Sequence, residues 1–236
     1  MDLYDVMRTT FAAREFTQEP IDDAVLAGIL GYARFAPSGG NRQGWSVVVV
    51  RDPKTKQALA DLAAPAARRY GAQVAAGERP WNTVDPTAVD AAAIERTPLT
   101  RGLVEPFLKA PVVLVVCVDL KVVASLDQYL DRVGVVSGAS IYPFVWSILL
   151  AARNEGFAGT ITTMAIAQEP ELRRLLGIPD HVAVAAVVPL GRPARRVTKL
   201  RRKPVSEFAR LERWDGPPLP NPPDAPARAR RGPEGT

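Results

Sequence analysis

The sequence predicts a single main domain in which helices pack around a central sheet. Three observations predict it. At 236 residues and 47% hydrophobic, the chain can bury a sizeable core, and one domain is the default at this length. Three apolar runs of strand length, Trp45–Val50, Pro111–Val118 and His181–Pro189, are rich in β-branched residues and read as buried strands. Between them lie segments whose apolar residues recur at helical spacing.

Taken in order, Leu3 to Met7 reads as a short first helix. Asp22 is a suitable N-cap for a helix that carries Val25, Leu26, Ile29, Leu30 and Ala33 on one face. That helix ends near Phe35 or Ala36, because the residue before Pro37 is pushed out of the α region. Trp45–Val50 is apolar on both faces and is therefore expected at the centre of the sheet. Asp52-Pro53 turns the chain into a helix from Lys54 to about Ala67. Residues 69–103 mix Ala-rich patches with Pro80, Pro86 and Pro98, an irregular stretch expected to form a lid. The Leu126 to Asn154 region is helical and apolar nearly all round, interrupted at Pro143 and stopped by Gly156. Gly159 to Met164 is a short strand leaving into a loop, followed by a helix from Glu171 to Leu176 between Pro170 and Gly177. A basic stretch, Arg195 to Lys203, precedes a short helix around Val205 to Arg213. The domain is thus assigned to residues 1–214. Residues 215–236, with seven prolines among the last 20 residues, read as a disordered tail.

Bulk properties narrow the function. No uninterrupted apolar stretch reaches the length of a membrane span, so no membrane partner is expected. The first residues lack the basic-then-apolar layout of a secretory signal, and the single Cys117 fits a reducing compartment; both point to the cytoplasm. From Arg192 onward there are 12 basic and 5 acidic residues, against 18 and 20 in the rest. That basic end holds only Phe208 and Trp214 for stacking bases, so no nucleic-acid partner is expected. Cys117 lies inside an unbroken apolar strand and reads as a core residue.

The chemistry is thinned out by what is missing. One His and one Cys match no zinc spacing, His181 at a strand entrance does not suit a hydrolytic triad, and neither a Gly-x-Gly-x-x-Gly nor a Gly-Lys-Ser/Thr loop is present. A cofactor with its own reactivity is the natural remainder. The segment Ala36-Pro37-Ser38-Gly39-Gly40-Asn41-Arg42-Gln43-Gly44-Trp45 offers exposed backbone amides, a hydroxyl and two carboxamides where helix becomes strand. Such a set suits a flat polar ligand, because glycine lets backbone approach closely.

Four segments in order resemble the FMN-dependent nitroreductases and their iodotyrosine-dehalogenating relatives. They are Arg14-x-Phe16, the Ala36–Trp45 loop, Gly159 to Met164 with Leu175-Leu176-Gly177, and Gly191-x-Pro193 with Arg202-Lys203-Pro204. The resemblance spans roughly Met1 to Phe208. It implies an α+β fold with a mixed, mainly antiparallel central sheet flanked by helices, in an intertwined homodimer with FMN at the interface. It places Arg14 beside the N1/O2 edge of the flavin, where a fixed positive charge eases hydride acceptance. Pro37, Ser38, Gly39 and Asn41 would approach the ring or ribityl chain, while Gln43 and Trp45 brace the loop. Thr162, Thr163 and Met164 would lie along the flavin, and Arg202 would hold the phosphate, with Arg201 or Lys203 as alternatives. Many family members carry Arg and Ser four and two positions before the match to Arg14; here those positions hold Thr10 and Ala12. Arg8 is the substitute phosphate ligand, with Thr9 or Thr10 adding a hydroxyl. Trp81, Asn82 and Tyr142 are candidates for the pocket lining.

The implied activity is ping-pong hydride transfer from NADH or NADPH, through FMN, to a nitroaromatic, quinone or similar electron-poor acceptor. No protein nucleophile is needed. Two alternatives remain: a reductive dehalogenase on the same scaffold, and a flavin-sequestering protein without turnover.

Overall fold

The computed structural model describes residues 1–197 and 199–222. The chain divides into two compact units, Met1–Thr198 and Lys199–Thr236. In the first, the order is α1 (Leu3–Thr9), α2 (Asp23–Ala33), β1 (Trp45–Val50), α3 (Pro53–Ala75), α4 (Ala91–Arg96), α5 (Arg101–Lys109), β2 (Val112–Asp119), α6 (Tyr142–Asn154), β3 (Ala158–Gly159), α7 (Glu169–Leu176) and β4 (Val182–Gly191). Short 3₁₀ turns at Gly39–Asn41, Val136–Ser140 and Met164–Gln168 link them.

The strands form one sheet in the order β1-β2-β4-β3, with every ladder antiparallel. A parallel bridge between Ala12 and Gly159 adds the mixed character the sequence led us to expect. Side chains alternate across β2. Val113, Val115 and Cys117 face a core built with Leu59, Ala63 and Ala67 of α3, Phe107 of α5 and Leu172 of α7. Val112, Leu114, Val116 and Val118 face a second core with Leu26 and Ile29 of α2 and Phe144, Val145 and Ile148 of α6. Helices therefore cover both faces, which is why β2 is apolar at seven consecutive positions. Cys117 is buried there as expected, and burial together with nearby Glu169 pushes its thiol up to about 11.

Several sequence expectations are corrected. β1 is an edge strand, paired to β2 alone among the described residues, and Ser46 and Val49 are exposed. Its two-sided apolarity therefore does not report a central position. The third helix does not stop near Ala67 but runs to Ala75 through Pro65. Pro65 and Asp61 are both exposed, so the carbonyl freed by the missing proline N–H faces water, where its loss costs least. The segment 69–103 is correspondingly less irregular than expected, containing the end of α3, all of α4 and the start of α5. The Leu126–Asn154 region is regular helix only in α6, after the 3₁₀ turn at Val136–Ser140. Gly156 and Gly177 do end their helices, with φ of 85° and 66°.

Residues 125–136 are organised by one buried carboxylate. Asp127 accepts from the Val135 amide at 2.7 Å, the Val136 amide, the Ser125 hydroxyl and the Arg132 guanidinium at 2.7 Å. These donors hold its carboxyl down at about 2, below the ordinary 3.8. A depressed folded value means its stabilisation is complete above the unfolded value and disappears as pH falls toward the folded one. Asp127→Asn is therefore expected to lower the urea midpoint by a constant amount above pH 3.8, with the gap closing toward pH 2. A gap unchanged down to pH 2 would contradict this role.

In the second unit, α8 spans Val205–Phe208, shorter than the Val205–Arg213 helix expected. The chain then turns back, with a bridge between Arg210 and Pro218 and a bond from the Leu219 amide to the Ala209 carbonyl. Part of the stretch read as tail, residues 215–222, thus takes part in this turn; residues 223–236 lie outside the described residues.

Candidate active site

The extended segment that follows α1 is stitched to the sheet. The Ala13 amide donates to the Gly159 carbonyl at 3.0 Å, the Thr17 amide to Arg192 at 2.9 Å, and the Ala194 amide to Glu15 at 3.0 Å. Buried Ala13 and Phe16 anchor it on either side of Arg14. Arg14 is exposed and makes no hydrogen bond or ion pair among the described residues, so the backbone fixes where its side chain starts and its charge is left unpaired.

Beyond β3 the chain stays beside β4, because Thr162 and Val187 exchange backbone bonds, each at 2.9 Å. Thr163 then caps the 3₁₀ turn that starts at Met164, and the Thr162 hydroxyl accepts weakly from the Met164 amide at 3.4 Å. Arg14 and residues Thr160–Met164 meet in a cavity of about 190 Å³, closed by Tyr70 of α3 and by Gly102, Leu103 and Pro106 of α5. The arrangement offers an unpaired cation, three threonines and an apolar wall, which suits a partly polar planar group with an electron-rich edge.

Four sequence candidates thus come together: Arg14, Thr162, Thr163 and Met164. The others lie elsewhere. Arg8 is exposed and paired with Asp5 at 2.6 Å. Thr10 is buried, its hydroxyl turned back to the Val6 carbonyl at 2.7 Å. Arg202 belongs to the second unit, where its guanidinium donates to the Arg201 carbonyl at 2.7 Å. Pro37, Ser38, Gly39 and Asn41 form a separate loop that does not line this cavity. In that loop the Gln43 amide donates to the Ser38 hydroxyl at 2.9 Å, and the Gln43 carboxamide donates to Asn41 Oδ1 at 3.1 Å. Trp45 stacks on Phe144 with ring centres 4.8 Å apart, so Gln43 and Trp45 brace the loop. Asn41 and Gln43 hold left-handed backbone, with φ of 54° and 50°. Such positions persist only where surroundings over-determine them.

Tyr70, Leu103 and Pro106 were not singled out from the sequence. No local pattern marks them; the packing of α3 on α5 brings them to Arg14. Tyr142 is not in the cavity either, and donates to the Ala185 carbonyl at 3.2 Å.

Known proteins share this architecture. The iodotyrosine deiodinase of Nematostella vectensis is 26% identical over 89% of this chain and 75% of its own length. A Thermus thermophilus protein named NADH dehydrogenase is 29% identical over 81% of this chain and 87% of its own. A solved oxidised iodotyrosine deiodinase, bound to FMN and 3-iodo-L-tyrosine, superposes with a TM-score of 0.61. Its sequence identity is 21%, and the match covers 85% of this chain and 95% of that one. The model of the nitroreductase family matches residues 7–192, and with that match across most of its length the chain belongs to the nitroreductase family.

Proposed function

We propose that the chain is an FMN-dependent NAD(P)H oxidoreductase that reduces nitroaromatics, quinones or similar electron-poor small molecules. The observation that carries this reading is the shared cavity of an unpaired Arg14 with the Thr162–Met164 segment. Bound FMN would accept hydride from a nicotinamide and pass it to the acceptor. The residues present fit such a group. A free guanidinium favours negative charge on the edge of the ring, and the Thr162 and Thr163 hydroxyls can hydrogen-bond beside it. Buried Pro106 and half-buried Leu103 form the apolar side, where lower polarity strengthens both effects.

The cavity of about 190 Å³ is small for a whole flavin. The reading therefore includes a homodimer, in which Pro37, Ser38, Gly39 and Asn41 of a second copy complete the site. Arg202 remains the proposed phosphate ligand, with Arg201 or Lys203 as alternatives, and Arg8 with Thr9 or Thr10 stands in for the family's missing early arginine. Cytoplasmic location belongs to the same proposal; among the described residues no helix is long and apolar enough to cross a membrane.

The test is the absorption spectrum of the purified protein, followed by anaerobic titration with NADH and NADPH. A yellow protein bleached by either cofactor and recovered by a nitroaromatic or quinone is expected. A colourless protein that takes up no added FMN would sink the proposal. A yellow protein that neither cofactor bleaches would favour flavin sequestration.

A reductive dehalogenase is the second reading, favoured by the likeness to iodotyrosine deiodinase. Release of iodide from 3-iodotyrosine by the reduced protein, faster than reduction of a nitroaromatic, would select it.

A further inference from the structure

A second cavity lies in the segment read from sequence as a lid. It measures about 290 Å³ and is lined by Arg69 and Gln73, one turn apart on α3, and by residues 82–87. It shares no lining residue with the Arg14 cavity. Its walls are mostly polar, and Gln73, Asn82 and Thr87 already have partners. Gln73 is buried, accepting from the Trp81 amide at 3.2 Å and donating to Glu78 at 3.1 Å. Asn82 Oδ1 accepts from the Val84 and Asp85 amides at 3.0 and 2.6 Å. Glu78 also takes the Thr87 hydroxyl at 2.6 Å and the Ala88 amide at 2.7 Å, so its carboxylate is occupied.

The side chains of Thr83, Asp85 and Arg69 make no hydrogen bond or ion pair among the described residues, and of these only Arg69 is a cation. Its guanidinium lies over the Trp81 ring, 4.2 Å from the ring centre. It makes no hydrogen bond or ion pair among the described residues, and its Nε is fully buried with no partner. That Nε is closed to solvent, so a ligand in the cavity meets the terminal guanidinium nitrogens instead. Trp81 itself holds left-handed backbone, with φ of 55°, to place its ring beneath the guanidinium. Stacking of this kind fixes the plane of an arginine while leaving its edge for an oxyanion.

We infer that this cavity is a binding site for a small organic monocarboxylate, whose two oxygens take the edge of Arg69. The charge limit comes from the surroundings: one lining cation, Arg69, whose charge already acts on the Glu78 carboxylate, with the exposed Asp85 carboxylate on the same cavity, so a dianion is opposed. Thr83 Oγ1, which has no hydrogen-bond partner among the described residues, supplies a further donor.

The experiment titrates benzoate, benzamide and inorganic phosphate at constant ionic strength into the full-length protein as purified. Binding is read by calorimetry and tryptophan fluorescence. Benzoate should bind saturably and at least about tenfold more tightly than the neutral benzamide or phosphate. Arg69→Met should weaken it by about tenfold or more, while Arg79→Met, on the same segment but outside the lining, should not. If Arg69→Met fails to fold, Arg69→Lys decides: a point charge without the planar fork should bind benzoate about fivefold more weakly. Equal binding of benzoate and benzamide, tighter binding of phosphate, or an unchanged Arg69→Lys would each overturn the assignment. A colourless protein that still binds benzoate would count against the flavin reading alone.

Discussion

Replacing Gly159 by alanine is expected to destabilise the protein by about 3 kcal/mol and to strip it of bound flavin. A Cβ at this position would stand 2.6 Å from the Pro189 carbonyl oxygen, 3.1 Å from Leu190 Cδ1 and 3.2 Å from Leu149 Cδ2. The first of these is backbone inside the sheet and has nowhere to go. The second and third are side chains of a core already closed on that face. Gly159 also accepts the Ala13 amide and forms the parallel bridge to Ala12, so displacement of β3 moves the segment that carries Arg14. Thr160, the next residue, lines the same cavity. One methyl group therefore strains the fold and opens the site together. Gly28→Ala is the control, since nothing lies within 4 Å of a Cβ there, in the middle of α2. It should stabilise the chain by about 0.5–1 kcal/mol, the ordinary gain for a helical position. Urea denaturation and flavin retained after gel filtration check both. A Gly159→Ala protein of unchanged midpoint would show that β3 can shift freely.

β2 and β4 were readable in the sequence because burial on both faces demands continuous apolar residues, and their short length and β-branched content set them apart from a buried helix. The glycines at 156 and 177 were readable because left-handed backbone after a helix nearly requires them. β1 misled because apolarity on both faces records what covers a strand's faces and is silent about its edges. Arg14, Thr162, Thr163 and Met164 were legible through motif order, yet no spacing rule says that positions some 150 residues apart share a cavity. Tyr70, Leu103 and Pro106 had no signal at all, since their place depends on α3 packing against α5. Asp127 was illegible for a related reason: its partners are backbone amides eight and nine residues away, and any side chains could carry those. Arg69 fell inside a segment whose prolines read as irregular, while the structure places it on a regular helix face.

Arg14→Ala should slow anaerobic bleaching of the bound flavin by NADH or NADPH by about 100-fold, the usual cost of removing one fixed group that stabilises developing charge. The effect follows from how Arg14 is held. Its segment is fixed by backbone bonds from Ala13 and Thr17 and by buried Ala13 and Phe16, none of which depends on the guanidinium. Removing the charge should therefore leave the cavity and the thermal midpoint nearly unchanged. An exposed arginine without a partner contributes little to stability, so an expensive loss of rate with a cheap loss of fold marks an electrostatic role. Arg14→Lys should recover part of the rate, because a point charge remains while the planar fork is lost. The midpoint potential of the flavin gives the independent measurement: it should fall in Arg14→Ala, as electron uptake loses its neighbouring positive charge. Unchanged bleaching and an unchanged potential would remove Arg14 from the chemistry and leave it as a solvated residue at the cavity rim.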